Sequence, residues 1–204
     1  HTTTTTESYI KANDPENYVD VIVASEREQL WDPLVKFLQM CRKKVKEAHI
    51  ESELIYALAK VNRLAELEEF ISGPNCAQVQ PGSRPLRPSS SIVADPTPLQ
   101  IQLIGDRCFE EGMYEAAKLL FSNIHNHARL ATTLVKLQQY SSAVEAARKA
   151  GSTKTWKEVN LHLIEVKEFR LAQICALHIV IHGDELDELV WRYESRGYFE
   201  EIIS

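Results

Sequence analysis

The chain has 204 residues, of which 44% are hydrophobic and 25% are charged, enough to form the core of one or two domains. Its formal net charge of −6 excludes a general attraction to nucleic acid. The cysteines are far apart and form no C-x-x-C pair, which argues against a disulfide framework or a zinc ribbon and favours a reducing compartment; they are Cys41, Cys76, Cys108 and Cys175. No apolar run approaches the roughly 18 residues of a membrane-spanning helix, and the first residues lack the apolar core of a signal peptide.

Two aspartate–proline pairs predict helix starts, after an N-terminal edge at residues 1–7 that we expect to be disordered. In Asp14-Pro15 the aspartate is a suitable N-cap and the proline fits the first turn, and Asp32-Pro33 repeats the signal. Apolar residues spaced three and four apart then predict helices over 18–23, 34–45, 54–59 and 64–71.

Between these helices and the rest of the chain lies a proline-rich segment. Residues 80–100 hold five of the eight prolines, and proline interrupts helices because it has no N–H and clashes with the preceding turn. The segment also has few large apolar residues to bury. We therefore predict a disordered insert at about 79–98.

The second half of the chain repeats one pattern. A large residue opens a helix and a small or apolar residue follows three positions later; the predicted openers are Tyr114, Tyr140, Phe169 and Tyr198, with a weaker one at Leu64. Gly112 is predicted to end the helix before Tyr114, because glycine adopts the left-handed cap conformation without strain. A fixed period of 20 to 50 residues is typical of stacked helical hairpins.

The repeat predicts an all-α fold, a right-handed α-α superhelix in which residues 8–204 are one solenoid segment interrupted by the insert. The hairpins are expected at about 101–112 with 113–124, 127–138 with 140–150, 154–167 with 169–181, and 184–196 with residues from 198 onward.

One group of residues could in principle bind a metal ion. Cys175, His178 and His182 share a helical face, with Asp184 or Glu185 nearby. The simpler interpretation is that Cys175 and His178 pack between hairpins and that His182 lies near a helix end, where a cation is favourable. We adopt it and assign no metal, cofactor-binding or catalytic residue.

Four further features also have ordinary structural interpretations. His125 and His127 are expected in a turn. The basic run of Arg42, Lys43, Lys44 and Lys46 is expected on a solvated helix face rather than at anionic lipid headgroups or an acidic partner. The P-x-x-P element at 85–88 matches SH3 ligands but is expected by chance in so proline-rich a segment. Trp31, Trp156 and Trp191 are expected to pack in the core or between hairpins. The sequence has no glycine-rich phosphate loop, H-E-x-x-H or G-x-S-x-G motif, so no catalytic set is predicted.

Whole stretches of the chain resemble the clathrin heavy chain family. They include SYIKANDP at 8–15, LVKFLQMCRKK at 34–44, GDRCFEEGMYEAAKLL at 105–120, KEFRLAQICALHIVIHGDEL at 167–186 and RGYFEE at 196–201. Apart from the first seven residues and the insert, the resemblance covers nearly all of the chain. The matching stretches are more specific than a generic hairpin repeat, which the vacuolar-sorting proteins also contain.

The resemblance implies a non-enzymatic structural component of the vesicle coat, a cytoplasmic protein located peripherally on coated pits and coated vesicles. Three heavy chains would form a triskelion whose legs build a lattice, and this segment would lie near the boundary of the distal and proximal leg. The implied partners are other clathrin heavy chains and, in or next to this segment, a clathrin light chain. Membranes would be contacted only through adaptors, and nucleic acid not at all. The alternative is a scaffold segment of a vacuolar-sorting or tethering complex.

The chain departs from the family pattern in two places. The family runs directly from the turn near GPN into the helix with GDRC, whereas about 20 residues intervene here, and HTTTTTE replaces the helix expected before SYIKANDP.

Deleting residues 80–98 is expected to leave the melting temperature unchanged or higher. Burial of Leu86, Ile92 and Val93 could contribute roughly 2 kcal/mol each. Ordering a segment of about 19 residues would cost on the order of 1–2 kcal/mol per residue, so entropy is the larger effect. Thermal unfolding followed by circular dichroism measures the change. A loss of several degrees would contradict this expectation.

Overall fold

The computed structural model describes residues 18–45, 47–73, 98–179 and 183–198. These residues form eleven helices and no strand, which confirms the predicted all-α fold of helical hairpins. The helices are α1 (Tyr18–Arg27), α2 (Trp31–Lys44), α3 (Ala48–Lys60), α4 (Leu64–Ser72), α5 (Pro98–Glu110), α6 (Tyr114–Asn123), α7 (His127–Lys136), α8 (Tyr140–Ala150), α9 (Thr153–Glu165), α10 (Phe169–Ile179) and α11 (Gly183–Glu194). They belong to two compact units, with α1–α6 in unit 1 and α7–α11 in unit 2.

Helix α3 forms the centre of unit 1. It packs against α2, α4 and α5. Most of its residues are buried, as expected for a helix enclosed on several sides; they are Ile50, Glu51, Leu54, Ile55, Tyr56, Ala57, Leu58 and Ala59. Its neighbour α2 is amphipathic and contributes Phe37 and Leu38, both fully buried, to the same core.

The hairpin of α5 and α6 depends on a close approach at Gly105. A Cβ atom at this position would lie 2.8 Å from Cε1 of Phe121 on α6, inside the van der Waals distance. The Phe121 ring is fully buried and has no space to move away. Gly105 and the buried Ala117 therefore allow the two helices to pack closely, which agrees with the small residues predicted in this hairpin.

Unit 2 has a core of small residues around larger ones. Helix α8 contributes Ala143, Ala146 and Ala147, and α9 contributes Trp156 and Leu163. In the hairpin of α9 and α10, the buried Asn160 side chain donates an Nδ2–H hydrogen bond to the Ala172 carbonyl oxygen over 2.8 Å. This bond fixes the axial position of α10 against α9.

The same turn follows six of the helices. One residue adopts a left-handed conformation, and the next N–H donates to the carbonyl oxygen five residues earlier, as in a Schellman motif. The left-handed residues are Gln29, Asn62, Gly112, Gln138, Lys167 and Gly197. The donor–acceptor pairs are Leu30 to Ser25, Arg63 to Leu58, Met113 to Cys108, Gln139 to Leu134, Glu168 to Leu163 and Tyr198 to Tyr193, at 2.8–3.1 Å.

These turns define the register of the repeat. In the five turns that lead into a described helix, that helix begins two residues after the left-handed residue, at Trp31, Leu64, Tyr114, Tyr140 and Phe169. The helix that was predicted to open at Tyr198 would continue into residues outside the described ranges, so that opener stays a prediction. Trp31, which the sequence analysis did not include, belongs to the series.

The turns also show why glycine was an incomplete signal. Gly112 ends its helix as predicted, but glutamine, asparagine and lysine take the same conformation elsewhere. The start of α2 differs slightly as well. The helix begins at Trp31 with Leu30 as N-cap and no capping side chain, so Asp32 lies in its first turn instead of capping it.

Trp191 is not a core residue, contrary to the prediction. It is 64% exposed, whereas Trp156 is 4% exposed. On α11 the buried side is formed by Leu189 and Tyr193, and a residue two positions away points to the other side of the helix.

Replacing Lys167 by glycine is expected to raise the melting temperature. A left-handed conformation costs a non-glycine residue roughly 1–2 kcal/mol, and glycine avoids this cost. Glycine also makes the unfolded chain more flexible, which lowers the stability of the folded state by about 0.4–1 kcal/mol. A net gain near 1 kcal/mol corresponds to about 2–4 °C for a chain of this size. Differential scanning calorimetry measures the shift.

Lys167→Ala is the matched control, because it removes the same side chain but keeps Cβ. It is expected to give no gain. Equal stabilisation by alanine and glycine would show that the lysine side chain, not the backbone conformation, was unfavourable.

Candidate functional site

The most connected group of polar side chains lies in unit 1, where α1, α3 and α5 meet. It consists of Glu26, Tyr56, Lys60, Arg107 and Glu111, which we call the Arg107 cluster. The guanidinium carbon of Arg107 lies 3.5 Å from the centroid of the Tyr56 ring, a cation–π contact. The Arg107 Nη2 atom lies 3.0 Å from Oε1 of Glu26. One arginine therefore links three helices.

The Glu111 carboxylate completes the cluster. It accepts a 2.6 Å hydrogen bond from the Tyr56 hydroxyl and forms an ion pair with Lys60. Partial burial alone would raise the pKa of Glu111, but the hydrogen bonds from Lys60 and Tyr56 outweigh it and hold that pKa below its ordinary value. Burial, then the bond to Glu111, raises the pKa of Tyr56. Both groups thus keep fixed protonation states near neutrality, which suits a structural link and not proton transfer.

A second charged group lies in unit 2. Lys157 of α9 is 2.8 Å from Oε2 of Glu188 on α11, and Arg192 is 2.5 Å from its Oε1. Hydrogen bonds from Lys157 and Arg192 hold the pKa of Glu188 below its ordinary value. A shallow cleft beside them has a volume of about 360 Å³ and is open to solvent; it is lined by Thr153, Lys154, Lys157, Glu158, Leu161 and Arg192. Its shape does not enclose a small molecule.

The structure describes two of the three residues that were considered as metal ligands, Cys175 and His178. Cys175 is fully buried, and burial raises the pKa of its thiol to about 12. His178 is exposed and stacks on Trp156, with ring centroids 4.3 Å apart and planes inclined by 9°. His182 lies outside the described residues, which contain no group of three possible metal ligands among histidine, cysteine, aspartate and glutamate.

The basic run lies at the end of α2, and its first residue has contacts within unit 1. Arg42 forms an ion pair with Glu51 at 3.2 Å, and its guanidinium lies 4.3 Å from the Phe70 ring centroid. Lys43 is exposed, and Lys46 is outside the described residues. Arg42 therefore contributes to packing within unit 1.

The remaining candidates have simple positions. His125 has a left-handed backbone in the turn before α7, and its ring centroid lies 6.1 Å from that of His127, the first residue of α7. The P-x-x-P element at 85–88 and the rest of the insert lie outside the described residues.

No sequence signal identified the Arg107 cluster. Its members come from distant parts of the sequence: Glu111 is 51 positions after Lys60, and Arg107 is 81 positions after Glu26. Only the i,i+4 spacings of Tyr56 with Lys60 and of Arg107 with Glu111, a pair 3.6 Å apart, could be read from the sequence.

Within the described ranges no helix is long and apolar enough to cross a membrane. Stacked helical hairpins, with their charged side chains used to link helices, define the class of α-helical repeat scaffolds.

Comparison with known proteins gives the family. The family model described as "Region in Clathrin and VPS" matches residues 9–81 and 87–171, and the chain belongs to this family. The resemblance to clathrin heavy chains is confirmed as well. The chain is 57% identical to the clathrin heavy chain of Dictyostelium discoideum over 198 residues, which are 97% of this chain and 10% of that protein.

Other relatives are similar at comparable levels. The identity is 54% over 196 residues with clathrin heavy chain 2 of Homo sapiens, covering 96% of this chain and 11% of the relative. It is 53% over 198 residues with the clathrin heavy chain of Drosophila melanogaster, covering 97% and 10%. The chain therefore spans about a tenth of the length of the curated relatives that it matches.

The purified chain is expected to retain no stoichiometric zinc after dialysis. Zinc binds the thiolate form of cysteine, and a buried thiol with a pKa near 12 is protonated at neutral pH. Elemental analysis by plasma mass spectrometry measures the zinc content, and His178→Ala is the comparison variant. Zinc bound one to one in the parent chain and lost in the variant would overturn this expectation.

Proposed function

We propose that this chain is a leg segment of a clathrin heavy chain and that it supports the assembly of the clathrin coat. The observation that carries the proposal is the 57% identity with a clathrin heavy chain along 97% of the sequence. This identity extends well beyond the apolar repeat positions, so it favours a heavy-chain segment over a repeat from a vacuolar-sorting complex.

The described structure suits such a role. Each unit buries many apolar side chains, and hydrogen bonds such as Asn160 to Ala172 fix helices in position. A stiff element can present many weak contacts in a constant geometry, and multivalent contacts make an assembly strong and still reversible.

The partners and location follow from the same proposal. Other heavy chains would be contacted in the trimer and in the lattice, and a light chain would bind in or next to this segment. The chain would be a coat component on vesicles and would reach the membrane only through adaptors. We propose that it has no catalytic activity of its own, in keeping with relatives that are heavy chains of clathrin. We propose further that residues 8–204 are a single solenoid segment interrupted by the insert at about 79–98.

A chimera tests the coat role. The matching segment of the Dictyostelium heavy chain is replaced by this chain, and the purified protein is assembled in vitro and examined by sedimentation and electron microscopy. We expect trimers that form closed cages as efficiently as the parent heavy chain.

Two controls make the result interpretable. A chimera with Phe121→Asp, which places a charge in the α5–α6 core, is expected to lose cages. Circular dichroism of the 204-residue chain establishes that the parent segment is helical in solution. Folded trimers that form no cages would contradict the proposal.

A further inference from the structure

Two ion pairs join successive hairpins at equivalent positions of the turn. We number each turn from its left-handed residue. A register site consists of two residues from successive hairpins. The first lies two positions before the left-handed residue of one hairpin, and the second lies one position before the left-handed residue of the next hairpin. In unit 1 these are Lys60, two before Asn62, and Glu111, one before Gly112. Their side chains form an ion pair.

The same positions are paired in unit 2 with the charges exchanged. Glu165 lies two before Lys167, and Arg196 lies one before Gly197. The Arg196 Nη2 atom is 3.1 Å from Oε1 of Glu165. The position therefore determines the contact, while either sign of charge can occupy it.

Both pairs join residues that are distant in sequence, and all four side chains are partly exposed. The side chains of Lys60 and Glu111 are 23% and 33% exposed, and those of Arg196 and Glu165 are 31% and 46% exposed. In unit 1 the Tyr56 hydroxyl also donates a hydrogen bond to Glu111 of the pair.

The other two register sites within the units have a cation followed by valine. Arg27 lies two before Gln29, and the equivalent residue of the next hairpin is Val61. Lys136 lies two before Gln138, and the equivalent residue is Val166, which is 38% exposed. At these two sites the cation of the first hairpin has no acidic residue at the second position.

We propose that the register site is a conformational device: an opposite-charge pair locks the turns of successive hairpins together, and a valine at the second position leaves that joint more compliant. Locked joints then lie between the α3/α4 and α5/α6 hairpins and between the α9/α10 hairpin and α11. Compliant joints lie between the α1/α2 and α3/α4 hairpins and between α7/α8 and α9/α10. This inference concerns the chain itself and does not depend on the coat role.

Installing a new lock tests the rule. Val166→Glu places a carboxylate opposite Lys136, and the backbone already accepts glutamate at the equivalent Glu28 and Glu111. We expect the melting temperature of the 204-residue chain to rise by about 2–4 °C in low salt. Amide hydrogen exchange at the α9–α10 turn is expected to slow. In 1 M NaCl, where the screening length is about 3 Å, the gain should disappear.

Val166→Gln is the matched control, since it has the same length without the charge, and it is expected to give no gain. In a Lys136→Gln background Val166→Glu should also give none. Stabilisation by Val166→Glu that persists without Lys136, or no change in either melting or exchange, would overturn the proposal.

A charge exchange tests an existing lock. Glu165→Lys alone is expected to lower the melting temperature, and the double variant Glu165→Lys, Arg196→Glu should recover most of the loss, because the pair of unit 1 has this polarity. Failure of the double variant to recover would show that the position does not accept either polarity.

Discussion

Every described hairpin depends on one hydrogen bond, from the N–H after the left-handed turn residue to a carbonyl oxygen five residues earlier. The residues that accept it are themselves buried; they are Ser25, Leu58, Cys108, Leu134, Leu163 and Tyr193. The bond therefore joins the end of one helix to the core and also sets where the next helix begins. Since the geometry is constant from turn to turn, residues at the same offset from different turns occupy equivalent places, and this equivalence makes a shared register site possible.

Close packing adds a second constraint. Position 105 requires glycine because the Phe121 ring occupies the space that a Cβ atom would need. The small alanine side chains of α8 similarly allow α9 to pack closely. Polar groups in the interior then fix relative position. Asn160 donates to Ala172 at the cost of a buried Oδ1 atom that has no hydrogen-bond partner in the described structure. An apolar residue of similar volume would avoid that cost but would not specify the axial alignment of α9 and α10.

The sequence predicted the features that depend on local spacing. Hairpins near 114, 140 and 169 follow from apolar residues three and four apart, because a helix face is a property of neighbours in the chain. Left-handed turns at Gln138 and Lys167 were not predicted, since these residues have no intrinsic preference for that conformation and are held there by the hairpin. The exposure of Trp191 and the existence of the Arg107 cluster were also not predicted. They depend on which distant surfaces meet, and contacts such as Glu26 with Arg107 leave no local pattern.

The central place of α3 has a mechanical consequence. Tension applied along a repeat array passes from one hairpin to the next, so its elements act as springs in series and the softest of them determines the extension. In unit 1, α3 packs against α2, α4 and α5, so the separation of one neighbour leaves its contacts with the other two in place. Such an element would yield at one helix contact at a time while its central helix kept its position.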